Sequence, residues 1–161
     1  MHRAQVSLLY ILIFIIIIWL LVGFIFGIKI APNNDMYPRI DSGDLLFYYR
    51  WGVNPNTQDI IILKKNKTTY VGRVIAKEGD TVNVSKKYGL MINGHTVFEN
   101  NIFSKTYPYK GFVKYPVKLK KDQYFILVDS REDGEDSRYY GVVSKDEIEG
   151  TVITIVRRSN L

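Results

Sequence analysis

Apolar residues are concentrated near the start of the chain, where they predict a helix that crosses a membrane. The segment from Leu8 to Ile28, LLYILIFIIIIWLLVGFIFGI, contains no charged residue. As an α-helix it would extend about 30 Å, which matches the hydrocarbon core of a bilayer. We therefore assign residues 1–28 to a short tail and a transmembrane anchor. A cleaved secretory signal is the alternative, but its apolar region is about 7–15 residues long and is followed by small residues.

Residues 29–161 follow a different pattern, with short runs of Val, Ile, Tyr and Phe separated by Gly, Pro, Asn and Asp. Such runs are typical of β-strands joined by turns. No part of this region keeps a helical period for three turns. The clearest turn signal is Asn93-Gly94, which is expected to form a tight hairpin turn. We therefore predict an all-β domain, a sandwich or partly open barrel, preceded by one transmembrane helix.

The charge of the chain is net positive and lies almost entirely in the β domain. The chain has 22 Lys and Arg against 16 Asp and Glu, and only Arg3 precedes residue 29. Such a surface suits anionic lipid headgroups or cell-wall polymers. No nucleic-acid motif accompanies the charge, so we predict no nucleic-acid partner. The short tail and the large following domain favour a cytoplasmic amino terminus and a domain on the extracellular side of the cell membrane.

Residues that could support catalysis or bind a metal are few. The chain has no cysteine, which excludes a disulfide or a thiol nucleophile and favours a Gram-positive cell surface. Its two histidines are His2 and His95, and His95 follows the Asn-Gly turn, where exposure disfavours a Ser-His-Asp triad. The acidic stretch DSREDGEDSR, residues 129–138, lacks the ligand spacing of an EF-hand calcium loop. We expect its Asp and Arg side chains to pair, and we predict no metal or other cofactor.

Five blocks of the sequence resemble, in order, the blocks of type I signal peptidases. They are NDMYPRIDSGD (34–44), QDIIILK (58–64), YVGRVIAKEGDTV (70–82), MINGHTVFE (91–99) and FILVDSREDGEDSRYYG (125–141). The first block of the family begins Ser-Met-x-Pro, and its last reads Gly-Asp-Asn-Arg-x-x-Ser-x-Asp-Ser-Arg. The resemblance covers nearly the whole chain and implies the β fold of the family. The family cleaves signal peptides with a Ser nucleophile and a neutral Lys as general base.

The resemblance also implies that the catalytic unit of the family is replaced in this chain. Asp35 stands at the position of the Ser nucleophile, Gly72 at that of the Lys base, and Gly134 at that of a Ser that orients the Lys. A carboxylate that attacked an amide would form an anhydride, a poorer acyl product than the amide. Two carboxyls that share a proton could activate water, but the candidates Asp129 and Asp136 match family positions that pair with arginines. We therefore expect no catalytic residue.

Two further sets of residues are expected to keep a role. A groove for an extended peptide can persist without a catalytic residue, because such binding uses main-chain hydrogen bonds. The residues expected to line this groove are Asp35, Met36, Tyr37, Pro38 and Gly72. The resemblance also implies a structural ionic set, made of Arg73, Asp129, Arg131, Asp136 and Arg138. In the last block, residues 125–141, Val128 stands where the family has the Gly of Gly-Asp-Asn.

Within this family, the chain most resembles signal-peptidase-like proteins that lack the catalytic dyad. Those proteins assist the assembly of sortase-linked pili in Gram-positive bacteria. The resemblance implies a membrane-anchored pseudoenzyme that binds an extended peptide or a pilin client without cleaving it. Its partners would be a pilin or other exported protein, sortase, and the membrane through residues 8–28. Two alternatives stay open, an active signal peptidase whose catalytic residues are displaced and a regulatory subunit of an active one.

Overall fold

Antiparallel β-strands make up most of the chain after one long N-terminal helix. The structure is a computed structural model that describes residues 2–99, 102 and 104–158. In chain order the elements are α1 (His2–Ile25), β1 (Phe26–Ile30), β2 (Leu45–Tyr49), β3 (Ile60–Lys65), β4 (Thr68–Ala76), β5 (Thr81–Ser85), β6 (Gly89–Ile92), β7 (His95–Thr96), β8 (Val117–Lys118), β9 (Gln123–Leu127), α2 (Ser137–Tyr140), β10 (Val143–Ser144), a 3₁₀ turn (Lys145–Glu147) and β11 (Ile148–Val156).

The strands form two antiparallel sheets. The larger sheet has the order β1-β2-β11-β3-β4-β9-β10, and the smaller has the order β7-β6-β5-β8. Asn93 and Gly94 connect β6 to β7 with φ angles of 51° and 83°, which are the positive values that a two-residue hairpin turn requires. The prediction of an all-β domain behind one apolar helix is confirmed.

The hydrophobic core lies on both faces of the larger sheet. Strand β3 is buried on both sides, because Ile60 and Ile62 pack into one cluster while Ile61 and Leu63 pack into another. A third cluster, which includes Phe125, joins the larger sheet to the smaller one. Each such side chain contributes about 1.5–3 kcal/mol when it is fully buried. The run of apolar residues in β3 therefore reflects its central place in the sheet.

The end of α1 differs from the prediction that residues 1–28 form the tail and anchor. The apolar part of the helix covers Ser7–Ile25, which is 19 residues and long enough by length and composition to cross a membrane. Phe26, Gly27 and Ile28 instead begin β1, which pairs with β2. A Cβ atom at Gly27 would lie 2.6 Å from Cε1 of Tyr48, so only glycine admits this ring. Hydropathy alone could not locate the change, since the residues on both sides of it are apolar.

Arg73 and Asp129 form an ion pair that joins β4 to the loop after β9. Asp129 accepts hydrogen bonds from Arg73 Nε at 2.9 Å and from Nη2 at 2.6 Å. Arg73 Nη1 also donates to the carbonyl of Gln58 at 3.0 Å. The two side chains are only 10% and 5% exposed. The pair therefore connects two segments of the fold in a place that water hardly reaches.

Asp136 and Arg138 form a second pair, whose side chains are fully buried. Asp136 Oδ2 accepts from Arg138 Nη2 at 2.8 Å and from the backbone N–H of Val128 at 3.2 Å. Arg138 Nη1 donates to the carbonyl of Arg131 at 2.7 Å. Asp136 also caps α2, since it accepts from the N–H of Arg138. These additional hydrogen bonds are what make a buried ion pair tolerable.

Arg131 has a partner that the sequence analysis did not identify. Its guanidinium contacts Glu99 at 2.6 and 2.7 Å and Thr106 Oγ1 at 2.7 Å. Its Nε donates to the carbonyl of Val128 at 2.6 Å. Glu99 lies 32 residues earlier in the chain and outside the acidic stretch. Arg131 thus joins the loop after β9 to the long connection between β7 and β8.

Replacing Asp129 by Asn should lower the free energy of unfolding by about 3–5 kcal/mol, because Arg73 would keep a nearly buried charge without its countercharge. Urea-induced unfolding of the full-length protein in detergent measures this change. The matched control is Asp122→Asn. Asp122 lies 4.0 Å from Lys145 with its side chain 51% exposed, so its loss should change stability by only ~0.5 kcal/mol. Equal effects of the two substitutions would contradict the structural role of Asp129.

Candidate functional site

The loop between β1 and β2 carries Asp35 and is closed by backbone hydrogen bonds at its ends. The N–H of Ala31 donates to the carbonyl of Asp44 at 2.8 Å, and the N–H of Gly43 donates to Ala31 at 3.0 Å. Met36 and Ile40 are both 1% exposed and hold the loop in the core. The loop is thus a defined structural element, and Asp35 directly precedes one of its two apolar anchors.

The Asp35 backbone and carboxyl are both held by hydrogen bonds. Its carbonyl accepts from the N–H of Ser130 at 2.8 Å, which ties the loop to the segment after β9. Its carboxylate accepts from Asn33 Nδ2 at 2.8 Å and from the backbone N–H of Glu135. The side chain is half-buried. We use the name Asp35 site for this carboxyl together with its neighbours Val128, Gly134 and Glu135.

Burial raises the pKa of the Asp35 carboxyl above its ordinary value of 3.8. The hydrogen bonds from Asn33 and from the N–H of Glu135 lower the pKa, while the Glu135 and Asp136 carboxylates raise it again. Burial, two hydrogen bonds and two carboxylates are the largest influences on this pKa. The Asp35 carboxyl therefore lies close to the Glu135 and Asp136 carboxylates.

Val128 fills the space beside Gly134. A Cβ atom at Gly134 would overlap Val128 Cγ2, and it would lie 3.0 Å from the Ser130 carbonyl oxygen and 3.3 Å from Asp35 Cγ. The structure thus brings Gly134 and Asp35 together. By the resemblance described above, Val128 replaces a glycine and Gly134 replaces a serine. The two replacements are complementary in volume, because the side chain gained at position 128 occupies the space beside position 134, where a side chain is lost.

Gly72 lies in the middle of β4, opposite Ile61 of β3. A Cβ atom at this position would lie 2.5 Å from Ile126 Cγ2 and 3.4 Å from the carbonyl oxygen of Leu127. The branched methyl group of Ile126 sits close to its own backbone and cannot move away as the end of a flexible side chain would. A side chain at position 72 would therefore require β9 to adjust.

The five residues expected to line a peptide groove differ in exposure. Tyr37 is 57% exposed and Pro38 is also exposed, and Asp35 is half-buried. Met36 and Gly72 are buried, so their side-chain positions are not exposed on the surface, and the groove itself stays a prediction. Met36 is buried because its side chain packs in the hydrophobic core and anchors the loop there. Gly72 is covered because β4 is an interior strand of the larger sheet.

Three tyrosines surround the Asp35 site, and the sequence analysis did not identify them as part of it. Tyr70 donates its hydroxyl to Glu135 Oε2 at 3.2 Å, and Tyr109 donates to the carbonyl of Gly134 at 2.8 Å. The Tyr140 ring lies 4.8 Å from that of Tyr70. Burial raises the pKa of both Tyr109 and Tyr140. The available signal was the aromatic content of residues 107–116 and of the last block, which include Tyr109 and Tyr140 but not Tyr70.

The chemistry that the Asp35 site offers is hydrogen bonding and negative charge. Within residues 2–99, 102 and 104–158, no group of three His, Asp or Glu could hold a metal ion. The Asp35 carboxyl has the Asn33 amide and a backbone N–H as its hydrogen-bond donors. The carboxylate can therefore accept further hydrogen bonds from polar groups of a ligand.

Comparison with known proteins gives a consistent result. The model for the family "Signal peptidase, peptidase S26" matches residues 4–157. The chain is 33% identical over 153 residues to signal peptidase I P of Bacillus subtilis subsp. natto, a match that spans 88% of this chain and 82% of that protein. It is 25% identical over 159 residues to a Staphylococcus aureus protein named inactive signal peptidase IA, with 94% and 91% covered.

A solved structure extends the similarity to the fold. Signal peptidase I from Enterococcus faecalis matches with a TM-score of 0.50 and 26% sequence identity. The match covers 63% of this chain and 98% of the Enterococcus chain.

Two antiparallel sheets behind one apolar helix, with the Asp35 loop held against the segment after β9, define a signal-peptidase-like protein. The chain belongs to the type I signal peptidase family, peptidase S26. The family resemblance identified in the sequence blocks is thereby confirmed. The apolar helix α1, together with this family membership, fits association with a membrane.

The raised pKa of Asp35 predicts a pH dependence of stability. The folded protein binds this proton more tightly than the unfolded chain, so the free energy of unfolding should fall as the pH rises above 3.8 and through the raised pKa. Asp35→Asn cannot ionise, and its stability relative to wild type should therefore be greater at neutral pH than below pH 3.8. Denaturant unfolding of the full-length protein at the two pH values measures this difference.

Carboxyl ¹³C NMR gives an independent measurement and a control. Asn33→Ala removes a hydrogen bond that lowers the pKa of Asp35, so this variant should titrate at a higher pH than wild type. An Asp35 carboxyl that titrates at or below 3.8 in wild type would refute the proposed effect of burial.

Proposed function

We propose that this protein is a signal-peptidase-like pseudoenzyme that binds an extended peptide of an exported protein beside Asp35 without cleaving it. The observation that carries the proposal is the filled space at Gly72 and Gly134, where Ile126 and Val128 occupy the volume that a further side chain would need. In a Ser/Lys peptidase these places hold the general base and the residue that orients it. Position 72 therefore has neither an amine nor the space for a side chain that carries one.

The second support is the character of Asp35 itself. Its half-buried carboxyl is held by Asn33 and by the N–H of Glu135, and it is partly open to a ligand. A carboxylate so placed accepts hydrogen bonds from peptide N–H groups or from a cationic side chain. It does not form a stable acyl product with an amide. Recognition of a peptide suits this group better than covalent catalysis.

The third support comes from the family. The Staphylococcus aureus relative carries the name inactive signal peptidase IA, so the family includes a member described as inactive. The resemblance to signal-peptidase-like proteins that assist the assembly of sortase-linked pili is the basis for proposing a pilin as client and sortase as a further partner. In this proposal α1 anchors the chain in the cell membrane with its amino terminus in the cytoplasm. Residues 29–161 then face the client outside the cell.

An active signal peptidase is the competing function, because the chain is 33% identical to signal peptidase I P. Such an enzyme would need a lysine near Asp35. Lys65 lies beside the tyrosines of the site, with Nζ 6.0 Å from the centre of the Tyr140 ring. Its amine is engaged by Glu147 at 2.9 Å and by the carbonyl of Val142. Glu147 and Val142 thus hold the Lys65 amine, and among the described residues no hydrogen bond joins it to Asp35.

The full-length protein should not hydrolyse a signal-peptide substrate, and Asp35→Ser with Gly72→Lys should restore at most a trace of activity. The new lysine would meet Ile126, and its orienting hydroxyl would still be missing. Adding Ile126→Ala, Val128→Gly and Gly134→Ser creates the required space and supplies the hydroxyl. Because catalytic groups act as a unit, these three changes should raise activity far more in the double variant than in the wild type.

Cleavage of a fluorogenic signal peptide in detergent measures this series. The control carries Ile126→Ala, Val128→Gly and Gly134→Ser in a protein that keeps Asp35, and this control should remain inactive. Cleavage by the wild type that disappears in Asp35→Ala would overturn the pseudoenzyme proposal.

Asp35→Ala should reduce the assembly of client protein on the cell surface while it leaves the fold nearly unchanged, since substitutions outside the core usually cost about 0.5 kcal/mol or less. Immunoblots of polymerised pilin together with the level of this protein measure both effects. Asp41→Ala, in the same loop, is the matched control and should assemble normally. A strong loss of stability without loss of assembly would make Asp35 a structural residue.

A further inference from the structure

The long connection that leads from β7 to β8 carries exposed aromatic and basic side chains. Residues 105–121 contain six lysines and no Asp or Glu. Tyr107 and Phe112 of this connection are 46% and 56% exposed, and Tyr139 of α2 is 40% exposed. We use the name basic aromatic surface for residues 105–114 together with Tyr139.

Hydrogen bonds hold the basic aromatic surface next to the Asp35 site. The Tyr109 hydroxyl donates to the carbonyl of Gly134 at 2.8 Å, and position 134 lies beside Asp35. Arg138 Nη1 donates to the carbonyl of Tyr107 at 3.2 Å. The Arg138 guanidinium also lies 4.4 Å from the centre of the Tyr109 ring. A peptide beside Asp35 would therefore adjoin a preformed surface, which lowers the entropy cost of binding.

Lys110, Gly111 and Phe112 form an exposed turn at the tip of this surface. Gly111 has a φ angle of 85°, and a Cβ atom there would meet nothing within 4 Å. Phe112 packs against Tyr139 with ring centres 4.5 Å apart, so its ring is held in place although it is exposed. Exposed aromatic side chains that are held in this way are typical of the contact sites of proteins.

The lysines of the basic aromatic surface have no carboxylate partner. Lys105, Lys110 and Lys114 are exposed, and among the described residues no carboxylate lies within ion-pair distance of them. Positive charge attracts an anionic partner, and aromatic rings supply apolar contact area. The surface therefore suits a peptide that carries both acidic and apolar side chains.

We propose that the basic aromatic surface binds an acidic segment of the client peptide, next to the part of the peptide that lies beside Asp35. Lys110 and Lys114 pair with carboxylates of this segment, and Phe112 with Tyr139 contacts its apolar side chains. The negative charge at Asp35 and the positive charge of this surface then fix the direction in which the client lies. The inference rests on the function proposed for the Asp35 site and adds the chemistry that distinguishes one client from another.

Binding of three synthetic peptides to the full-length protein in phosphatidylcholine nanodiscs tests this proposal. The fluorescein-labelled peptides share the same Phe and Val positions and differ only at the alternating positions, which are all Glu, all Gln or all Lys. Fluorescence anisotropy measures each Kd. We expect the Glu peptide to bind most tightly and the Gln peptide to bind about tenfold more weakly, as the loss of two exposed ion pairs predicts. The Lys peptide should bind most weakly.

Lysine variants locate the charge that attracts the Glu peptide. Lys110→Gln combined with Lys114→Gln should weaken binding of the Glu peptide about tenfold and leave binding of the Gln peptide unchanged. Lys120→Gln combined with Lys121→Gln is the matched control. It removes the same charge from residues that precede β9, whereas the basic aromatic surface packs on the segment after β9, and it should change little.

An aromatic variant tests the apolar contact separately. Phe112→Ser should weaken binding of both the Glu and the Gln peptide about fivefold or more, the effect expected of an aromatic residue at the centre of a contact site. Tyr88→Ser is the matched control, because Tyr88 is 53% exposed in the turn between β5 and β6.

Asp35→Ala separates this inference from the function proposed for the Asp35 site. Binding that is lost in Asp35→Ala but kept in Lys110→Gln with Lys114→Gln would overturn the inference and leave the proposed function in place. Weaker binding in the lysine variant but not in Asp35→Ala would support the basic aromatic surface and count against the Asp35 site. Equal binding of the three peptides, or binding of none, would also overturn the inference.

Anionic lipid is the competing occupant of the basic aromatic surface. Because the chain has no cysteine, Lys105→Cys can be labelled at a single place with an environment-sensitive dye. We expect a blue shift of its emission when the Glu peptide is added in phosphatidylcholine nanodiscs. The same shift in phosphatidylglycerol nanodiscs without peptide would identify a lipid-binding surface and overturn the proposal.

Discussion

The loop that follows β9 depends on one buried ion pair, that of Asp136 with Arg138, whose side chains are both 0% exposed. Burial of two charges has a high desolvation cost, which is offset only when the remaining hydrogen-bonding groups of both side chains also have partners. The backbone N–H of Val128 and the carbonyl of Arg131 supply the missing partners, so the loop has to fold around the pair. This constraint holds Gly134 against Asp35, and the geometry of the candidate site follows from it.

The groups that brace the domain differ from the groups that would perform catalysis in the family. The Arg73–Asp129 and Asp136–Arg138 pairs make their contacts without help from positions 35, 72 or 134. A fold of this kind can therefore lose a catalytic unit and keep its stability, because function resides in a few side chains supported by the fold. Ile126 and Val128 fill the spaces beside Gly72 and Gly134, as the close packing of a protein interior requires.

The apolar helix and the domain are coupled through the backbone. Helix α1 ends at Ile25 and β1 begins at Phe26, so no linker separates the helix from the larger sheet. Pairing of β1 with β2 then fixes the direction in which the sheet leaves the helix. This arrangement also sets the distance of the Asp35 loop from the end of α1, since the loop connects these two strands.

Local patterns in the sequence determined the apolar helix, the strands and the Asn93-Gly94 turn, because each depends on residues that are close together in the chain. The sequence blocks also determined the family and pointed to Asp35 and Gly134. Only the tertiary structure decided that α1 ends at Ile25, since a short apolar run is compatible with a helix and with a strand. It also decided the pairing of Arg131 with Glu99, the burial of Met36 and the contact of Val128 with position 134. These features depend on packing between distant segments, and the volume that one side chain leaves to another exists only once the sheets have assembled.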